Sequence, residues 1–243
     1  MLHITFTLNG TRTQASCEPD QHFLDVLRET CGVTSPKDGC SPQGYCGCCT
    51  ILIDGRPALA CLRKASQMEG KDVITLEGID PAKREALARA FVQEGAVQCG
   101  FCTPGIAMRA YALLERDATP AEDSIRRALS GNLCRCTGYT RIVDAVRTAG
   151  EMWDDGRIDR QEPRNSNFFG EDFGMKRASP VNGSESKHGV GRSAARYRGW
   201  DHTVGRKPYV ADMRVEDMLH GAVVLSEYPR ATVTRLDASR ALA

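Results

Sequence analysis

Along residues 4–8 apolar and polar positions alternate, with Ile4, Phe6 and Leu8 set against Thr5 and Thr7, and Asn9-Gly10 follows. A period of two ending in that dipeptide predicts a half-buried strand entering a tight hairpin. The period then changes: in HFLDVLRETCG, Phe23, Leu24, Leu27 and Cys31 recur at helical intervals, with Gly32 as a C-terminal stop. Short apolar runs at 50–53 (TILI) and 57–61 (PALAC) flank Asp54-Gly55, a second hairpin signal, and VITLEG at 73–78 predicts one more strand. Several strands with one helix laid across them predict a small α+β domain over residues 1–79.

The pattern turns helical over 80–155. Asp80-Pro81 supplies an N-cap and a first-turn proline for a helix running to about Glu94. Thr103-Pro104 opens a second helix. Thr119-Pro120-Ala121-Glu122 has the form of a capping box for a third. A fourth follows Thr140, with Ile142, Val143, Val146 and Ala149 on one face. Four helices joined by short loops predict a bundle. Residues 156–190, rich in Asn, Ser, Gly, Pro and charge, read as a linker. In the tail, 191–243, apolar runs at 222–225 and 231–236 predict two strands.

Composition narrows the function classes. The 32 basic and 31 acidic residues nearly cancel, which argues against a nucleic-acid binder. No apolar run approaches the roughly 20 residues of a membrane span. The chain opens as a strand instead of a leader, so the expected location is cytoplasmic, where 11 cysteines point to metal or redox chemistry and not to disulfides.

Eight of those cysteines form two sets. Cys40, Cys46 and Cys49 lie in one glycine-rich loop, GCSPQGYCGCCTILIDG, with Cys61 returning from the hairpin beyond. Cys99 and Cys102 (QCGFCTPG) precede the second helix, and Cys134 and Cys136 (GNLCRCTGY) precede the fourth. Four thiolates are the ligand count of a [2Fe–2S] cluster, and glycines let backbone N–H groups approach the charged sulfurs. Helix N-termini favour such anionic ligands. Four cysteines also bind zinc, but zinc sites favour two short knuckles over a glycine-rich triple with a remote fourth ligand. The first gap holds five residues, Ser41 to Tyr45, where plant-type loops have four, and Cys48 is an extra cysteine placed in the spacer of Cys46-Gly47-Cys48-Cys49. Cys17 and Cys31 read as packing residues, and none of the five histidines has a ligand-like neighbourhood.

QCGFCTPG and GNLCRCTGY, downstream of a GC…CGxC loop, resemble the iron–sulfur portion of the xanthine dehydrogenase/aldehyde oxidase family of molybdenum hydroxylases, over about residues 1–155. The tail resembles, over part of its length, the start of that family's molybdenum-binding portion, an α/β hammerhead. The resemblance implies a fold class of α+β: a β-grasp, plant-type ferredoxin domain over 1–79 with the cluster farther from molybdenum, and a four-helix [2Fe–2S] domain over 80–155 with the nearer one. It implies that Gln98 and Cys136 lie beside the pterin of a molybdenum cofactor held mainly by a large partner subunit or a continuation of this chain. It also implies an electron acceptor elsewhere, such as a flavin subunit, a cytochrome, a ferredoxin or a quinone, because no flavin domain lies between the helices and the tail. The expected reaction of the complex is hydroxylation of an N-heterocycle or an aldehyde, with no catalytic residue in this chain. The rival reading is a free-standing two-cluster carrier or redox sensor.

Overall fold

The computed structural model describes residues 1–154, 196–219, 221, 223 and 225–239. The alternating N-terminal segment forms β1 (Leu2–Leu8), which turns through Asn9-Gly10 into β2 (Thr11–Cys17). Both turn residues have positive φ, 52° and 81°, the hand that matches the twist of the flanking strands. Next comes α1 (Phe23–Asp25), which widens into one broader turn over Val26–Thr30 where the Cys31 N–H reaches the Val26 carbonyl at 3.0 Å. The second hairpin joins β3 (Thr50–Ile53) to β4 (Arg56–Leu59) through Asp54-Gly55. Strand β5 (Asp72–Ile74) lies between the hairpins, parallel to β1 and antiparallel to β3, giving the order β2-β1-β5-β3-β4. Phe23, Leu24, Val26 and Leu27 are buried in one core with Ile4, Phe6, Ile51 and Val73. Each such side chain contributes roughly 1.5–3 kcal/mol.

Two strand expectations are shortened by local chemistry. The run at 73–78 pairs only as far as Ile74, because the Thr75 N–H is taken by the Asn9 side chain at 2.8 Å; Leu76–Gly78 then forms a tight helical turn. The run at 57–61 leaves the sheet after Leu59, where Ala60–Leu62 coils tightly and turns Cys61 inward.

Four longer helices follow: α2 (Pro81–Gln93), α3 (Thr103–Leu114), α4 (Glu122–Leu129) and α5 (Thr140–Asp154). The Asp80 carboxylate accepts from the N–H groups of Ala82 and Lys83, as an N-cap should. The capping box expected at Thr119 does not form. The Asp117 carboxylate takes the Thr119 N–H at 3.0 Å, and α4 starts later, capped by Ala121 without a side-chain bond. Leu87, Phe91, Ile106, Ile125, Ile142 and Val146 form a second core, which also takes in Cys46, Cys48 and Leu52 from the cysteine loop and β3. A short α6 (Gly199–Thr203), not foreseen from sequence, packs on α2 and α3 within the compact unit Met1–Tyr209.

Residues from Val210 onward form a separate unit. The strand expected at 231–236 is absent, and Val233 and Leu236 are exposed with no strand beside them among the described residues. Of the run at 222–225, Ala222 and Val224 lie outside the described residues, as does the linker at 156–190; Val223 and Leu225 are exposed outside any strand. Among the described residues no helix is long and apolar enough to cross a membrane.

Candidate iron–sulfur centres

The first cysteine loop is folded by short polar contacts. The Asp38 carboxylate accepts from the N–H groups of Cys40 (3.3 Å) and Ser41 (2.8 Å), bending the chain just where the first thiol must point inward. The extra residue in the five-residue gap is absorbed at a bend, where Ser41 takes a left-handed conformation, φ 54°. The Ala60 N–H donates to the Cys49 carbonyl at 3.2 Å, and this brings Cys61 beside Cys49 so that the two thiols lie within hydrogen-bonding reach. Cys40 lies against Cys46 in the same way.

The second set forms on helix starts. Cys102 caps α3, and Cys134 and Cys136 lie in the turn before α5. Cys99 Sγ and Cys136 Sγ are 3.4 Å apart, and Cys102 and Cys134 are within hydrogen-bonding reach. Each set of four thus resolves into two close pairs: Cys40 with Cys46 and Cys49 with Cys61, then Cys99 with Cys136 and Cys102 with Cys134. Two pairs suit a centre with two irons. A tetrahedral zinc instead needs all four ligands gathered on one point. The donor set therefore fits a [2Fe–2S] cluster in each place.

The electrostatics agree. Burial, reinforced by the Cys49 thiol, pushes Cys61 up to about 12. Burial, then Cys134 and Cys99, push Cys102 upward. For Cys40 burial acts upward too, but the N–H groups of Cys46, Tyr45 and Gln43 outweigh it and hold the thiol at about 7. Cys134 is likewise lowered: burial opposes, but the Thr137 hydroxyl, 3.1 Å away, and backbone N–H groups prevail. Crowded buried thiols stay protonated unless a cation replaces the protons, which is what bound iron would do.

Cys48 also lies against Cys46, as a fifth thiol beside the first set. It is buried, its N–H points at Cys46 Sγ (3.5 Å) and its thiol is raised by burial and then by Cys46 and Cys102. It therefore sits in the seam between the sets. Cys48→Ala is expected to leave iron content unchanged, at about two irons per cluster, as read by metal analysis. Loss of iron would make Cys48 a ligand.

Gln98, Cys99 and Cys136 are all exposed, whereas Cys46, Cys49 and Cys61 are buried. Several residues that sequence reasoning passed over brace these loops. The Cys134 N–H donates to the Tyr139 hydroxyl at 2.8 Å. The Tyr209 hydroxyl donates to the Cys99 carbonyl at 2.6 Å and lies 3.1 Å from His202 Nδ1, and Arg196 Nε donates to the Gln98 carbonyl at 3.1 Å. His202, which had no assigned role, is buried against Gly100, where a Cβ would collide with its ring. Thr137 and Tyr139 belong to the CRCTGY motif, whose hydroxyl groups beside the two cysteines were the available signal. No spacing rule connects residues 196–209 to Cys99.

Comparison with known proteins follows the same division. Residues 75–147 match a family model described as a [2Fe-2S] binding domain. The chain is 46% identical over 149 residues to the nicotinate dehydrogenase small FeS subunit of Eubacterium barkeri, covering 61% of this chain and 94% of that protein. It is 31% identical over 251 residues to the aldehyde oxidoreductase of Megalodesulfovibrio gigas, covering all of this chain and 26% of that one. The crystal structure of the aldehyde oxidoreductase of Desulfovibrio desulfuricans matches with a TM-score of 0.68 at 32% identity, over 87% of this chain. The chain spans 22% of that structure's length.

Proposed function

The chain belongs to the xanthine dehydrogenase/aldehyde oxidase family of molybdenum hydroxylases, as its iron–sulfur portion, and from that premise we propose that it carries electrons between a molybdenum centre and an acceptor through two [2Fe–2S] clusters. Cys40, Cys46, Cys49 and Cys61 hold one cluster, and Cys99, Cys102, Cys134 and Cys136 the other. Residues 1–79 act as a β-grasp, ferredoxin-like domain and 80–155 as a four-helix domain. When bound, each cluster accepts and releases one electron at a time.

The chain's own groups bind, insulate and tune. The N–H groups of Gln43, Tyr45 and Cys46 directed at Cys40, and the Thr137 hydroxyl at Cys134, stabilise negative sulfur. The cores around Cys46, Cys49 and Cys61 exclude water. The single observation that carries the direction of flow is the difference in exposure. The Cys99–Cys136 pair opens to the surface beside Gln98, while three of the four thiols of the first set are buried. Gln98 and Cys136 accordingly meet the pterin of the molybdenum cofactor, held by a large subunit or by a continuation of this chain. Electrons enter there and leave by the Cys40–Cys61 set to a flavin subunit or another acceptor. Alignment of the whole chain with the Megalodesulfovibrio gigas protein supports reading 191–243 as the start of a molybdenum-binding portion. The abundance of free thiols supports a cytoplasmic location.

Substrate oxidation, at an N-heterocycle or an aldehyde, belongs to the molybdenum-binding portion, whether a partner subunit or a continuation of this chain. Metal analysis of the complex purified from its native cells is expected to give about four irons per chain, about one molybdenum and a red-brown absorption. A colourless protein, or a complex with iron and no molybdenum, would sink this reading.

A further inference from the structure

The two cysteine sets are joined by a specific backbone junction. The Leu133 N–H donates to the Cys46 carbonyl at 2.8 Å. Cys46 is a thiol of the first set, and Leu133 directly precedes Cys134 of the second. One short hydrogen bond thus completes an otherwise covalent route from Cys46 Sγ through its own carbonyl, across to Leu133, and along the chain to Cys134 Sγ. Electronic coupling decays more slowly along bonds and short hydrogen bonds than across van der Waals gaps, which favours this route.

Asn132, 2% exposed, holds the junction shut. Its Nδ2 donates to the Gly47 carbonyl at 2.9 Å, next to the Cys46 carbonyl that Leu133 engages. The Gly47 carbonyl also accepts from Thr50 N–H (3.2 Å) and Thr50 Oγ1 (2.7 Å), so it is gripped from both sides of the seam. The Asn132 Oδ1 is buried with no hydrogen-bond partner among the described residues. A bare buried acceptor is costly, and an apolar residue of similar size would avoid it. A buried polar group of this kind calls for an explanation, and the Nδ2 contact supplies one. The approach is close because Gly105 of α3 leaves room: a Cβ there would meet the Gly47 and Cys48 carbonyl oxygens.

We propose that the Cys46 carbonyl–Leu133 amide hydrogen bond is the electron-transfer junction between the two clusters, with Asn132 as the positioning residue that keeps it formed. This rests on the two-cluster reading above. The step moves one electron: a ferrous iron on the Cys99–Cys136 side becomes ferric as a ferric iron on the Cys40–Cys61 side becomes ferrous. No bond breaks and no proton moves.

The test uses the full chain with its iron loaded. A substoichiometric pulse of reductant is given, and re-equilibration between the clusters is followed through the EPR signal of each. Leu133→Pro lacks the amide hydrogen and Leu133→Ala keeps it, while Asn132→Ala removes the clamp alone. The proline variant is expected to re-equilibrate about tenfold more slowly than the alanine variant at 133, and Asn132→Ala about tenfold more slowly than the parent chain. Iron content and both midpoint potentials should be retained. Equal rates for the pair at 133, or an unslowed Asn132→Ala, with iron intact, overturn the proposal. If Leu133→Pro loses iron, Asn132→Ala decides; if both lose iron, the contact is a ligand scaffold and the junction is refuted. A parent chain that binds no iron would instead refute the two-cluster reading itself.

Discussion

Cys102→Ala is expected to cost the chain about two of its about four irons, with roughly half of the visible absorption. The physical reason is that Cys102 has one close thiol partner, Cys134, and no spare thiol in its own set. Cys48 is near, but its N–H and its thiol both engage Cys46 groups. A drop in stability should accompany the loss, because the second set ties the loop before α3 to the loop before α5 and because metal binding to such a set is folding free energy. The first set should survive, since its four thiols are drawn from the 40–49 loop and the turn after β4. Iron analysis with absorption spectroscopy reads the first effect, and thermal melting the second. Retention of all the iron in Cys102→Ala would remove Cys102 from the ligand set and break the pairing described above.

The second large effect is expected at Gly47. Its φ is +72°, and a Cβ there would collide with the Gly131 carbonyl oxygen and lie 2.7 Å from Asn132 Nδ2. Gly55 gives a matched comparison, with φ +74° and nothing within 4 Å of an added Cβ. Gly55→Ala should cost only the left-handed backbone penalty, about 1 kcal/mol. Gly47→Ala should add an overpacking term and cost about 3 kcal/mol, because the obstacle is backbone and cannot swing away. For a chain of this size that corresponds to a fall in melting temperature of roughly 6–12 °C. The measurement is the difference between the two variants. Equal melting temperatures would mean that the cysteine loop is not docked on the Gly131-Asn132 backbone.

Much of the fold was legible because it rests on short-range physics. The Asn9-Gly10 and Asp54-Gly55 turns could be named from sequence because each dipeptide tolerates the positive φ that a tight hairpin demands. The Asp80-Pro81 start and the Thr103-Pro104 start were equally local. The failures came where a side chain captured a backbone partner, one from far along the chain and one from two residues away. Asn9 took the Thr75 N–H and ended β5, and Asp117 took the Thr119 N–H and moved the start of α4. The apolar runs of the tail read as strands, but periodicity does not supply the neighbour that a strand needs for its hydrogen bonds.

By itself the sequence determined the two cysteine sets, their glycine-rich and helix-start settings, and the ligand chemistry they suit, because thiol count, spacing and turn residues are properties of contiguous chain. Only the tertiary structure decided how each set divides into close pairs, that Cys48 lies in the seam and that Leu133 and Asn132 meet the backbone of Cys46 and Gly47. It likewise decided that Tyr209 and Arg196 brace the exposed Gln98–Cys99 loop. These contacts join residues 85 to 110 positions apart. They form only once two hydrophobic cores have brought loops of unrelated sequence face to face, and local propensity carries no record of which loops those are.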